Sequence, residues 1–147
     1  MRYPWLLMNR ISLLTVSVLC AAAFAANAQV GGKVDLSKLP PAASKTPVTY
    51  ATDIKPIFEK SCVRCHGAEK PKARLRMDSL ESVTKGSEHG AIVVAGKGAE
   101  SKLVLSVARI TADPDQHMPP LKNRAGILPL TKDEVSLIRA WVDQGAK

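Results

Sequence analysis

Apolar and polar positions divide the chain into stretches of different character. Residues 11–25 form an uncharged apolar run, with Arg2 and Arg10 ahead of it and Ala26-Asn27-Ala28 behind. That layout is an export signal cleaved after Ala28, and the run is shorter than the roughly 20 residues a spanning helix needs. Over residues 29–48, Gly31-Gly32, Pro40-Pro41 and Pro47 interrupt small and polar residues with no helical or strand period; this predicts a flexible arm. From Thr49 the period becomes helical. Thr52 or Asp53 as N-cap, Pro56 in the first turn, and Ile54, Ile57 and Phe58 on one face predict a helix running into Cys62. Further helices are expected over 79–84 and over 99–110, where Leu103, Val104, Val107 and Ile110 recur three or four apart. The clearest signature is the last: Thr131 and Glu134 form a capping box, Val135, Ile138, Trp141 and Val142 share a face, and Gly145 suits the C-terminus. Only the run 91–95 resembles a strand, so residues 49–147 are expected to form one all-α domain.

Composition narrows the class. With 46% hydrophobic and 23% charged residues the chain has globular proportions, which excludes wholesale disorder and a multi-span membrane protein. Cleavage after Ala28 removes two arginines and no acid, leaving 119 residues at +6 against +8 for the whole chain. It also removes Cys20, which follows Val18-Leu19 rather than the small residues that precede a lipidated cysteine. Tyr50, Phe58 and Trp141 are then the only aromatics. Small domains with thin cores need a staple, and two cysteines separated by two residues make a poor one, so a cofactor is expected. The excess of base predicts partner proteins with an acidic docking surface, because opposite charge steers encounter. The basic residues are dispersed and no nucleic-acid motif accompanies them, so nucleic acid is not an expected partner. Membrane contact is expected only through a partner or an uncleaved signal.

The chemistry is concentrated in Cys62-Val63-Arg64-Cys65-His66. C-x-x-C-H is the attachment signature of c-type haem: two thiols add to the vinyl groups at one edge of the macrocycle, and the next residue, a histidine, reaches the iron. A thioredoxin-like reading lacks its βαβ pattern. A structural zinc site would need four donors, which Cys62, Cys65 and His66 could supply only with His89 or His117. Met118, 52 residues beyond His66, is the expected second axial ligand, because Pro119 and Pro120 stiffen the chain just after it. Met77, His117 and His89 are the rivals, and a histidine pair would give a lower potential than His/Met. A carbonyl near Pro71 is expected to accept from His66, and Arg74 and Arg76 to face a haem propionate.

Five motifs in order carry a more specific resemblance: Asp53-Ile54-Lys55-Pro56-Ile57-Phe58, then Cys62 to Gly67, Leu75-Arg76-Met77-Asp78, Met118-Pro119-Pro120, and Ala140-Trp141-Val142-x-x-Gly145-Ala146. Together they resemble the planctomycete-type cytochrome c domain, a monohaem class I cytochrome c, over residues 50–147. The resemblance implies about four short helices around one covalent haem c. It also implies that the first and last helices cross where Phe58 meets Trp141, and that His66 and Met118 are the axial ligands. Such domains often sit inside larger multidomain proteins, whereas here a leader and an arm precede the domain. The implied function is a periplasmic or otherwise exported one-electron carrier, not an enzyme. The alternatives are a haem-based small-ligand sensor or peroxidase-like enzyme with a displaceable sixth ligand, for which His117 is the nearest acid-base group, and a zinc-binding module.

Overall fold

The computed structural model describes residues 34–147; the leader 1–28 and residues 29–33 of the arm lie outside the described residues. The first helical segment begins at Thr49 rather than at Thr52 or Asp53. Thr49 Oγ1 accepts from the Thr52 amide at 3.4 Å, and Asp53 Oδ2 accepts from the Thr49 amide at 2.9 Å. Asp53, expected as a cap, therefore lies inside the helix and reaches back to it. A π-helical turn, Tyr50–Ile54, passes directly into α1, Lys55–Ser61, where Pro56 occupies the first turn and lacks only an N–H the helix does not use.

Four more helices follow: α2 Val63–His66, α3 Leu80–Lys85, α4 Lys102–Val107 and α5 Lys132–Asp143. The helix expected over 99–110 is shorter at both ends. Gly98–Glu100 is a separate 3-10 turn. Between it and α4, the buried Ser101 hydroxyl donates to Lys97 O at 2.9 Å and accepts from the Val94 amide at 2.8 Å. A serine that bonds to loop backbone in this way favours a boundary over a helix interior. At the other end, Arg109 has φ +60° and stops the helix. The run 91–95 is not a strand: its amides and carbonyls meet α4, with Leu103 N donating to Ile92 O at 2.9 Å. Among the described residues the sole β feature is an isolated bridge between Ser87 and Gly90, and the architecture is all-α.

The core is built where the Tyr50–Ile54 turn and α1 meet α5. Phe58 and Trp141 pack edge to face, centroids 6.2 Å apart with the planes at 84°, and Tyr50 closes the cluster at 6.2 Å from Phe58 and 6.0 Å from Trp141. Three aromatics thus suffice because they are spent in one place, surrounded by fully buried Ile54, Ile138 and Val142. The capping box of α5 is present in both directions: Thr131 Oγ1 accepts from Glu134 N at 3.2 Å, and Glu134 Oε2 from Thr131 N at 2.8 Å. At the far end Gly145 takes φ +99°, which lets Ala146 N reach Trp141 O at 2.9 Å.

Residues 34–48, expected as flexible arm, are laid along α5 instead. Leu39 and Val48 are buried, and the Ala43 amide donates to Ser136 O at 3.0 Å. Arg139 donates to Pro40 O at 2.6 Å, while Gln144 donates to Lys45 O and accepts from Val48 N, both at 2.9 Å. Helix side chains supply partners that a proline-interrupted segment cannot find within itself. No helix among the described residues is long and apolar enough to cross a membrane.

Thr131→Ala is expected to lower stability by about 1 kcal/mol, the usual worth of an N-cap. Trp141→Ala should cost about 3–5 kcal/mol through the cavity it leaves. Urea midpoints of the two variants check both figures, and an unchanged slope for Thr131→Ala shows that the denatured state is unaltered.

Candidate functional site

The thiol pair is positioned by the break between α1 and α2. Cys62 ends α1, its amide donating to Phe58 O at 2.8 Å, and takes φ −124°, outside the helical range. Its carbonyl then accepts from both Cys65 N at 3.0 Å and His66 N at 2.9 Å. One turn of helix therefore carries Cys62, Cys65 and His66, and both cysteines are free thiols. Gly67 lets the chain leave this turn, since a Cβ there would lie 2.6 Å from Val63 O.

The next ten residues fold back over His66. Lys70, Ala73 and Arg74 all have φ near +50°, a region that costs an L-residue on the order of 1–2 kcal/mol. The return places Leu75 O 3.2 Å from His66 Nδ1, and Met77 N donates to His66 O at 2.7 Å. A carbonyl can only accept, so Nδ1 carries the proton and Nε2 keeps its lone pair. The expected acceptor carbonyl is that of Leu75, and the backbone of Lys72, next to Pro71, also acts on the ring. Burial holds the His66 pKa below its ordinary value, partly offset by that hydrogen bond, so the ring is neutral at pH 7.

Facing it is the chain around Met118. The Met118 amide donates to Ser106 O at 3.0 Å, and the Arg109 guanidinium donates to Pro119 O at 2.8 Å. Both bonds tie the loop to the C-terminal end of α4. Cys62, Cys65, His66 and Met118 all line one cavity of about 520 Å³, within the usual size range for cofactor sites. Its walls are mainly apolar, including Leu75, Met77, Ile92, Leu103, Val107 and Ile127.

Met77 is a buried wall residue. His117 does not line the cavity; its Nε2 lies 3.2 Å from Thr111 O in its own loop. His89 does line it, though largely exposed and 3.8 Å from Glu88. Among the described residues no three His, Cys, Asp or Glu side chains converge on a metal-ion position, so the four zinc donors are not assembled. Arg74 and Arg76 do not line the cavity and pair instead with Glu88 at 3.6 Å and Asp78 at 2.6 Å. Lys102 and Asn123 line it and escaped the sequence reading, because an isolated lysine or asparagine carries no motif.

Two thiols, a histidine with a fixed tautomer and a facing methionine around an apolar chamber are the donor set of a c-type haem protein, and they fit that group. Residues 62–122 match the family described as Planctomycete cytochrome C, and over that stretch the chain is similar to haem-binding cytochromes. Among solved structures, Kuenenia stuttgartiensis hydrazine synthase is similar at a TM-score of 0.42 and 23% identity, covering 67% of this chain and 16% of that one. No curated protein matches.

Burial, and secondarily Cys65, pushes the Cys62 thiol up to about 12. The thiolate is the reactive form, so in chain made without haem Cys65 is expected to alkylate at pH 8 at least about ten-fold faster than Cys62. Mass spectrometry of the modified peptides measures both rates; equal rates would show that this burial is not maintained.

Proposed function

We propose that this protein is an exported one-electron carrier that holds one haem c through Cys62 and Cys65, with His66 and Met118 as axial ligands. The observation that supports it is the meeting of those four side chains at one apolar cavity. The leader at 1–28 supports export, and no acid-base function is asked of any residue. When bound, the haem supplies a ferric/ferrous couple.

The chain's own groups do the rest. Leu75 O orients the His66 ring, and burial keeps it neutral and able to donate Nε2. Ser106 O and Arg109 hold the Met118 loop from two sides. His66 and Met118 would hold the iron on side chains the fold already fixes, so that the haem could exchange an electron with little rearrangement of the chain. The sensor or peroxidase-like alternative would need an acid-base group poised at the haem; His117 is turned to Thr111 O, and of the titratable groups that do line the cavity His89 is largely exposed beside Glu88.

The test is the optical spectrum and potential of the haem-loaded protein. A low-spin spectrum with a weak methionine–iron band at the red edge is expected, the band disappearing in Met118→Ala and the potential falling. A high-spin ferric wild type that binds cyanide readily would sink the carrier reading. Arg109→Met should leave haem attachment intact and raise the affinity for added imidazole several-fold, read by titration, because the loop loses one of its two tethers.

A further inference from the structure

The geometry points to the loop 119–130 as the docking face for an acidic electron-exchange protein, with Leu121 and Leu128 as its apolar centre and Lys122, Arg124 and Lys132 as its cationic frame. This deepens the carrier reading and rests on it. Leu121 and Leu128 are 71% and 78% exposed, the two most exposed large hydrophobics among the described residues. Single exposed leucines need no explanation, but the backbone just before each of these two is drawn to one point. The Asn123 amide nitrogen donates to both Pro120 O at 2.7 Å and Ile127 O at 2.8 Å, and its Oδ1 accepts from Ile127 N at 2.9 Å. The loop is thus closed at its neck, and the residue after each bonded carbonyl is a leucine.

Charge identifies the occupant. No acidic residue occurs between Gln116 and Asp133, while Lys122, Arg124 and Lys132 all do. Among the described residues none of the three pairs with a carboxylate, whereas Lys60, Arg76 and Lys97 do, at 2.8, 2.6 and 3.1 Å. An unneutralised cationic frame around an apolar centre fits a surface of opposite sign with an apolar spot, and it repels a second copy of this basic chain. The inner side of the same loop lines the haem cavity through Pro119, Pro120, Asn123 and Ile127. A partner seated on the leucines would be separated from the cofactor by one thickness of chain. The patch suits the small interfaces of transient redox encounters.

The experiment is stopped-flow oxidation of the haem-loaded full chain by an acidic blue-copper protein, with ferricyanide as a small reagent that needs no docking face. Lys122→Glu with Arg124→Glu is expected to lower the blue-copper rate at least ten-fold at low salt, the difference vanishing at high salt. Leu121→Ser with Leu128→Ser should lower it several-fold at both salts. The control, Lys97→Glu with Lys147→Glu, makes the same charge change near the other end of α5 and should stay within two-fold of wild type. An equal fall in the control would mean that net charge alone matters and would overturn the proposal. So would loop variants that exchange at the wild-type rate, or loop variants that lose binding to phosphatidylglycerol vesicles while keeping that rate, which would assign the face to lipid. Failure of wild type with ferricyanide would count against the carrier reading itself, whereas failure with the blue-copper protein alone would count against the docking face.

Discussion

The His66–Leu75 hydrogen bond is the constraint around which the attachment half of the site is arranged. It fixes which ring nitrogen bears the proton and which keeps its lone pair, and a carbonyl bonded to the ring in this way also sets the ring's orientation. To bring a carbonyl nine residues downstream under the ring, the chain accepts left-handed backbone at three residues with side chains, Lys70, Ala73 and Arg74. Backbone strain concentrated next to a functional group is a recurrent sign that position outweighs comfort. The same return brings Met77 N onto His66 O, so ring and main chain are held from one segment.

The methionine half is built by other means. Its tethers come from α4, through a carbonyl of the helix and an arginine just beyond it. The two halves are set against a common base, the Tyr50–Phe58–Trp141 cluster that joins the Tyr50–Ile54 turn and α1 to α5. The positions of His66 and Met118 are each held by hydrogen bonds within the chain. That division suits electron transfer, in which the surroundings of the redox centre should change little as its charge does.

What the sequence made legible was whatever local chemistry encodes. The attachment motif, the capping box of α5 and the Phe58–Trp141 contact, the last implied by resemblance, could each be read from a few residues. The arm was misread because its docking is encoded elsewhere: Ser136, Arg139 and Gln144 of α5 make the bonds, and proline-interrupted sequence looks alike whether docked or free. The early end of α4 follows from a single buried hydroxyl, and its late end from a positive φ at an arginine, for which there is no residue-type signal. Arg74 and Arg76 were misplaced for a related reason. Their neighbours in space, Glu88 and Asp78, claim them before the cavity can.

The way α5 grips the segment before Tyr50 has a consequence for descent. Arg139 and Gln144 hold Pro40 and Lys45 by their carbonyls, and Ser136 takes the Ala43 amide, so the helix recognises main chain that almost any residue would provide. Its register is carried by the Arg139 and Gln144 side chains and the Ser136 carbonyl, and the segment itself adds only the buried Leu39 and Val48 side chains. Most of the strap's other side chains are therefore free to change while α5 keeps Arg139 and Gln144.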